Sequence, residues 1–212
     1  MATFVLIPGG GCDPWYWTFL ADELTRRGHD AVPVDLPCDD DTAGFEQYAS
    51  AVVDAAGERS DLLVVAHSLG GFTGPLVCER VAVRLLVLLT AMIPVPGEPA
   101  GDWWANTGYP ANDGDFNTLF YNDVPEDLAA ECERHSRDQS ATPMEAPWPL
   151  AAWPKVPTRF LLCCDDLFFP PTFMRRVVHD RLGIVPDEMP GGHMVMLSRP
   201  AELADRLVAY LD

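Results

Sequence analysis

The sequence predicts an α/β protein: a mostly parallel, doubly wound six-stranded sheet with helices on both faces and an inserted cap. Three observations carry this. Short apolar runs alternate with helical stretches along most of the chain. One run, residues 84–91, is apolar on both faces, as a central strand covered on two sides must be. The alternation is broken once, by a long aromatic segment between the fourth and fifth strands.

Residues 3–7 (TFVLI) form the first strand and end at Pro8–Gly9–Gly10–Gly11. Residues 15–27 read as a helix with Phe19, Leu20 and Leu24 on one face, closed by Arg26–Arg27 and Gly28. Residues 30–34 form a second strand, which Pro33 makes irregular or places at an edge. A helix over 43–59 follows, then an apolar strand over 61–66 and a helix over 70–82. Residues 84–91 (RLLVLLTA) are the strongest candidate for a central strand. Strands at 158–163 and 184–189 alternate with helices at 171–181 and 199–211, and Ser198 is the expected cap of the last helix.

Between them, residues 92–157 carry Trp103, Trp104, Trp148 and Trp153 with Tyr109, Phe116, Phe120 and Tyr121, and a short helix over 125–136. That is too aromatic for a linker and too long for a simple loop. The expected organisation is a core of residues 1–91 and 158–212 with a cap of residues 92–157.

The chain has 212 residues, 14 basic and 32 acidic, for a formal net charge of -18. Such a surface repels nucleic acid and anionic membrane. No leader precedes the first strand, no apolar run is long enough for a membrane span, and the six cysteines show no zinc-ligand spacing. The expectation is a cytoplasmic protein with free thiols and no metal. Asp39–Asp40–Asp41 reads as a solvated turn. The oligomeric state stays open, a homodimer among the alternatives.

The chemistry-bearing pattern lies at residues 62–71, Leu–Leu–Val–Val–Ala–His–Ser–Leu–Gly–Gly. An apolar strand runs into a serine and then two glycines and a helix, the setting of a nucleophile held on a sharp strand-to-helix turn. Ala66 stands where that motif has its first glycine. The glycine run after the first strand lets a backbone N–H approach a bound oxygen, and Leu69 would supply the second donor. Gly192 precedes His193 in a loop suited to swing over a strand end, which makes His193 the candidate base. His67 is expected to point away from Ser68. Asp166, just past the fifth strand, is the candidate acid, with Asp165 and then Glu98 as alternatives. Candidate pocket walls are Gly11, Leu69, Trp15, Trp103, Trp104, Phe120, Tyr121 and Trp148.

These motifs, together with Trp15, Trp17 and Asp165–Asp166–Leu167–Phe168–Phe169–Pro170, resemble the α/β-hydrolase superfamily, and within it the small esterase and hydroxynitrile-lyase group that includes plant methyl esterases. The resemblance covers nearly the whole chain and implies an α/β-hydrolase fold. In the family an Asp four residues ahead of a Pro is the triad acid, which maps onto Asp166 and Pro170. The resemblance likewise implies Gly10 as the first-loop oxyanion donor. Two departures stand out: Pro8 replaces the usual first-loop His, and Ala66 the usual Gly. The lyases place a Lys directly after the catalytic His and a Thr near the first-loop oxyanion position; here Met194 and Gly10 stand there. The resemblance implies a serine esterase without cofactor, acting on a small apolar ester, a methyl ester or lactone among the candidates. The alternatives are a cyclase or lactonase-type biosynthetic enzyme, an amidase or thioesterase, and a non-catalytic small-molecule receptor.

Overall fold

The computed structural model describes residues 1–110 and 114–211. Six strands form one sheet: β1 (Thr3–Ile7), β2 (Asp30–Pro33), β3 (Leu62–His67), β4 (Val83–Leu89), β5 (Thr158–Cys163) and β6 (Asp187–Met189). Their order is β2-β1-β3-β4-β5-β6, and every pairing is parallel. Pro33 sits on the edge strand, where its missing N–H costs no sheet hydrogen bond. β3 and β4, the most apolar runs, take the centre.

Alternation along each strand feeds two cores, one on each face. Val5, Ile7, Val64, Ala66, Leu86, Leu88, Phe160 and Leu162 enter one cluster. Phe4, Leu6, Leu63, Val65, Val87, Leu89, Leu161 and Cys163 enter the other. Helices α1 (Thr18–Arg26), α2 (Phe45–Ala56) and α3 (Gly74–Cys78) belong to the first half of the chain. The segment between β4 and β5 holds α4 (Trp103–Thr107), α5 (Phe116–Phe120), α6 (Glu126–His135) and α7 (Thr142–Glu145). Then follow α8 (Pro171–Leu182), α9 (Val195–Ser198) and α10 (Pro200–Val208).

Several boundaries differ from expectation, each for a local reason. The helix expected over 70–82 is a 3₁₀ turn, Ser68–Phe72, followed by the short α3. Pro75 has no N–H with which to continue a ladder from the turn. The closing helix expected over 199–211 starts at Pro200 and ends as a 3₁₀ turn, Ala209–Leu211; Arg199, held out of the helical region by the following Pro200, is its cap and separates it from the short α9. Ser198 is not its cap; the hydroxyl goes instead to Asp123 Oδ2 at 2.7 Å. β6 begins only after Pro186. In α1 Leu20 and Leu24 are buried, but Phe19 is exposed. All six cysteines are free. Among the described residues, no helix is long and apolar enough to cross a membrane.

Candidate active site

The C-terminal ends of parallel strands face one side of the sheet, and the loops after β1, β3, β5 and β6 meet there. Ser68 follows β3 directly and holds φ at +51°, a left-handed value that a side chain rarely adopts. The turn closes tightly against two other loops. A Cβ at Gly70 would stand 2.8 Å from the Pro8 carbonyl oxygen, and one at Gly71 only 1.9 Å from that of Met92. Only glycine fits at either place. Ala66 is accommodated because its methyl faces Gly74, where a Cβ would come within 3.0 Å of it.

Ser68 Oγ lies 3.1 Å from His193 Nε2, and His193 Nδ1 lies 2.9 Å from Asp166 Oδ2. Asp166 Oδ1 accepts the Phe169 N–H at 2.8 Å, and Oδ2 also accepts the Thr90 hydroxyl. His193 is fully buried, its ring met edge-on by Phe120, Phe168 and Phe169 at centroid distances of 4.7, 4.9 and 5.1 Å. With Nδ1–H aimed at a carboxylate, Nε2 is left to accept the serine proton.

His67 was expected to point away from the serine, yet it joins the lining of the cavity that Ser68 faces, and it is bound to the candidate base. Its Nε2–H donates to the His193 carbonyl at 3.0 Å, and the two rings lie 4.8 Å apart. Burial, then the neighbouring His193, pushes the His67 imidazole well below its ordinary range, so it stays neutral.

Asp165 and Glu98, the alternative acids, are engaged elsewhere. Asp165 Oδ2 accepts the Gly191 N–H at 2.9 Å and so holds the histidine loop. Glu98 is buried in a two-pronged ion pair with Arg181 and also accepts from Asn106.

Above Ser68 lies a cavity of about 190 Å³. Its aromatic walls are Trp104, Phe116, Phe120 and Phe168; its aliphatic walls are Leu69, Met92, Met144 and Met194. Cys12 contributes a thiol that burial pushes far up, so it stays protonated. Gly9, Gly10 and Gln139 complete the rim. Gly10 packs beside Leu69 across the mouth of the turn: a Cβ there would stand 3.3 Å from both Leu69 Cδ2 and Gln139 Oε1. Leu69 is the second residue of the 3₁₀ turn, where an N–H has no partner within the turn.

The other expected walls stand off the cavity. Trp103 and Trp148 are core residues whose indole N–H groups donate to the carbonyls of Ile93 (3.1 Å) and Phe72 (3.0 Å). Trp15 stacks on His135 at 4.3 Å, and the Tyr121 hydroxyl meets that of Tyr16 at 3.2 Å. Gly11 lies behind the wall, its N–H donating to Gln139 Oε1 at 3.3 Å and its carbonyl accepting from Arg137 at 2.8 Å. Gln139, Phe116 and the methionines carried no distinguishing pattern in the sequence. Phe168 was missed as a wall too, although its place two residues past the candidate acid could have signalled it.

Among the described residues, no group of three or more His, Cys, Asp or Glu side chains is placed to hold a metal ion. Asp40 closes its own turn by accepting from the Thr42 N–H and hydroxyl at 2.8 and 2.7 Å.

Comparison with known proteins agrees with this architecture. The sequence profile described as "Alpha/beta hydrolase family" matches residues 4–206. A probable esterase of Oryza sativa, PIR7A, is 26% identical over 251 aligned positions, covering 97% of this chain and 95% of that protein. The crystal structure of polyneuridine aldehyde esterase superposes with a TM-score of 0.85 at 21% identity, covering 100% of both chains. A methylesterase from Arabidopsis superposes with a TM-score of 0.79 at 18% identity, covering 100% of this chain and 99% of that one.

Proposed function

The chain belongs to the alpha/beta hydrolase family, and we propose that it is a serine esterase for small, uncharged, largely apolar carboxylic esters. The carrying observation is the unbroken sequence of hydrogen bonds from Ser68 through His193 to Asp166, with Ser68 open to an apolar cavity. The esterase names borne by the relatives support the same reaction class.

Ser68 Oγ attacks the ester carbonyl as His193 Nε2 takes its proton. Asp166 holds the imidazole with Nδ1–H inward and stabilises the imidazolium. The developing oxyanion is received by the Gly10 and Leu69 N–H groups; one such donor is worth roughly 10²–10³ in rate. His193 then hands the proton to the leaving alkoxide, and later draws one from the water that attacks the acyl-enzyme. The acid is released and Ser68 recovers its proton.

The wall composition sets the substrate class. Among the described residues no Arg, Lys, Asp or Glu lines the cavity, so a charge carried in by either half of the ester meets no ionic partner from them. A volume of about 190 Å³ exceeds the roughly 150 Å³ of a cavity that holds benzene. Methyl esters and small lactones fit this description.

The test is turnover of p-nitrophenyl esters from acetate to octanoate and of a set of methyl esters, with Ser68→Ala alongside. Activity confined to the wild type, falling off with chain length, is the expected result. A wild type inert to every ester and unlabelled by a serine-reactive phosphonate overturns the reading.

A further inference from the structure

Thr90 lies one residue past β4 and is almost fully buried. Its φ is +37°. A β-branched residue in that region is a steric outlier, and such outliers persist only where the surroundings hold them. Here the hold is visible. The Thr90 N–H continues the sheet by donating to the Leu161 carbonyl at 2.9 Å. The positive φ then turns the side chain across the sheet edge, and its hydroxyl donates to Asp166 Oδ2 at 2.5 Å.

That oxygen is the one that faces His193 Nδ1, at 2.9 Å. The other, Oδ1, is fixed by the Phe169 N–H at 2.8 Å. The carboxylate is therefore gripped from two elements: its own loop on one oxygen, and the end of β4 on the other. Tyr109 from the segment before β5 and Cys163 on β5 also come near its charge, and Asp165 adjoins it in sequence. None of them is a cation. The Tyr109 hydroxyl is spent on the Phe168 carbonyl at 2.6 Å.

We propose that Thr90 is a positioning residue for the reaction: its hydroxyl fixes which Asp166 oxygen addresses His193, and shares that oxygen's charge. The proposal rests on the reading of Ser68, His193 and Asp166 as a catalytic triad. It also explains why a strained threonine is kept at a sheet end. A relaxed φ would swing the hydroxyl off the carboxylate, and a residue without a donor would leave Oδ2 with His193 as its one partner.

The experiment compares Thr90→Val, Thr90→Ser and Thr90→Gly on the fastest p-nitrophenyl ester, with phosphonate titration of active sites. Valine keeps the branching and the volume and removes only the donor. It is expected to lower kcat roughly ten- to hundredfold with KM within about twofold. It should also move the acid limb of the kcat/KM profile to higher pH, because a carboxylate with one donor fewer holds the imidazolium more strongly. Serine keeps the donor and should recover most of kcat and the wild-type acid limb. Glycine, for which a φ of +37° is no burden, guards against a valine variant that fails to fold; it should fold and lose kcat as valine does. A purely structural threonine would not separate valine from serine in this way. Wild-type kcat and acid limb in either Thr90→Val or Thr90→Gly overturns the proposal, as does a serine variant as slow as the valine. A wild type that neither turns over esters nor takes up the phosphonate overturns the triad reading itself.

Discussion

Alanine at Gly11, set against alanine at Gly28, separates a strained backbone from a displaced loop. Both glycines have positive φ, +66° and +83°. Around Gly28 an added Cβ meets nothing within 4 Å. Its substitution costs about 1–2 kcal/mol of left-handed strain, offset by about 0.4–1 kcal/mol from stiffening the unfolded chain. The net of about 1 kcal/mol lowers Tm by roughly 2–4 °C in a chain of this size. At Gly11 the same backbone cost applies, but the Cβ stands 2.6 Å from the Arg137 carbonyl oxygen. The two segments must part by about 0.8 Å to reach ordinary contact. Parting strains the Arg137 N–H bond to the Gly11 carbonyl, the Gly11 N–H bond to Gln139, and the bridge between Cys12 and Ser136. With each hydrogen bond worth about 1 kcal/mol, the total loss is about 2–4 kcal/mol, or roughly 5–15 °C. Gly10, the proposed oxyanion donor, immediately precedes Gly11, and a shift approaching 1 Å in such a donor costs up to about 10²-fold in rate. Thermal melts and kcat on p-nitrophenyl acetate read both effects. Gly28→Ala should keep wild-type kcat, and Gly11→Ala should lose ten- to hundredfold, on the order of one misplaced donor. A Gly11→Ala enzyme with equal Tm loss to Gly28→Ala and unchanged kcat refutes both the clash and the role of the neighbouring N–H.

The buried His67 predicts a pH-dependent stability. Its folded pKa lies well below the unfolded value of 6.5, so the unfolded chain binds the extra proton first. Stability is complete above that unfolded value and falls as the pH drops below it, by up to about 1.4 kcal/mol per pH unit. Urea midpoints of His67→Gln between pH 7 and 5 should show a flatter slope, and an unchanged slope counts against the assignment. Glu98→Ala strands the Arg181 guanidinium, which is only 11% exposed, and should cost about 3–5 kcal/mol in a melt while leaving the remaining folded fraction's kcat intact. Loss of kcat without loss of stability would instead place Glu98 in the chemistry. Paired esters of equal size, methyl 4-methylpentanoate and the anion of monomethyl succinate, should differ by about 10²-fold or more in kcat/KM, since an unpaired buried carboxylate costs several kcal/mol. Comparable turnover would show that the reacting ester does not enter the apolar cavity.

What was legible in the sequence was local. The central strands announced themselves because a strand covered on two sides must be apolar on both. Ser68 stood out because a strand, a serine and two glycines occupy ten consecutive residues, and His193 and Asp166 because each lies in the loop that follows a strand. Aromatic content was a poor guide to the cavity. A tryptophan wall and a tryptophan core look alike in sequence, and Trp103 and Trp148 resolve as core only once Ile93 and Phe72 offer them buried carbonyls. Helix ends slipped where prolines at 75 and 200 cut the ladders. Thr90, His67 and Gln139 act through partners 76, 126 and 128 residues away, separations at which no periodicity survives.

The segment between β4 and β5 walls the cavity with Trp104, Phe116, Phe120, Gln139 and Met144, and it also holds the loops of the proposed triad in place. Asp123 Oδ2 accepts the Gly192 N–H at 2.8 Å and the Ser198 hydroxyl at 2.7 Å, on either side of His193. Asn122 donates to the Asp165 carbonyl at 2.9 Å, beside Asp166. Arg137 and Gln139 grip Gly11, beside Gly10. The Ser68 carbonyl accepts the Met92 N–H at 2.9 Å, three residues past the end of β4. The serine is thus tied to the segment at its start, beside the sheet, while the loops carrying His193, Asp166 and Gly10 are tied to it farther along. Moving that segment as a rigid flap would break all of these ties at once. Passage of substrate past single side chains at the rim breaks none of them, and Phe116, 58% exposed and held by ring contacts to Phe120 at 4.2 Å and Phe168 at 6.3 Å, is the exposed aromatic side chain of the cavity wall.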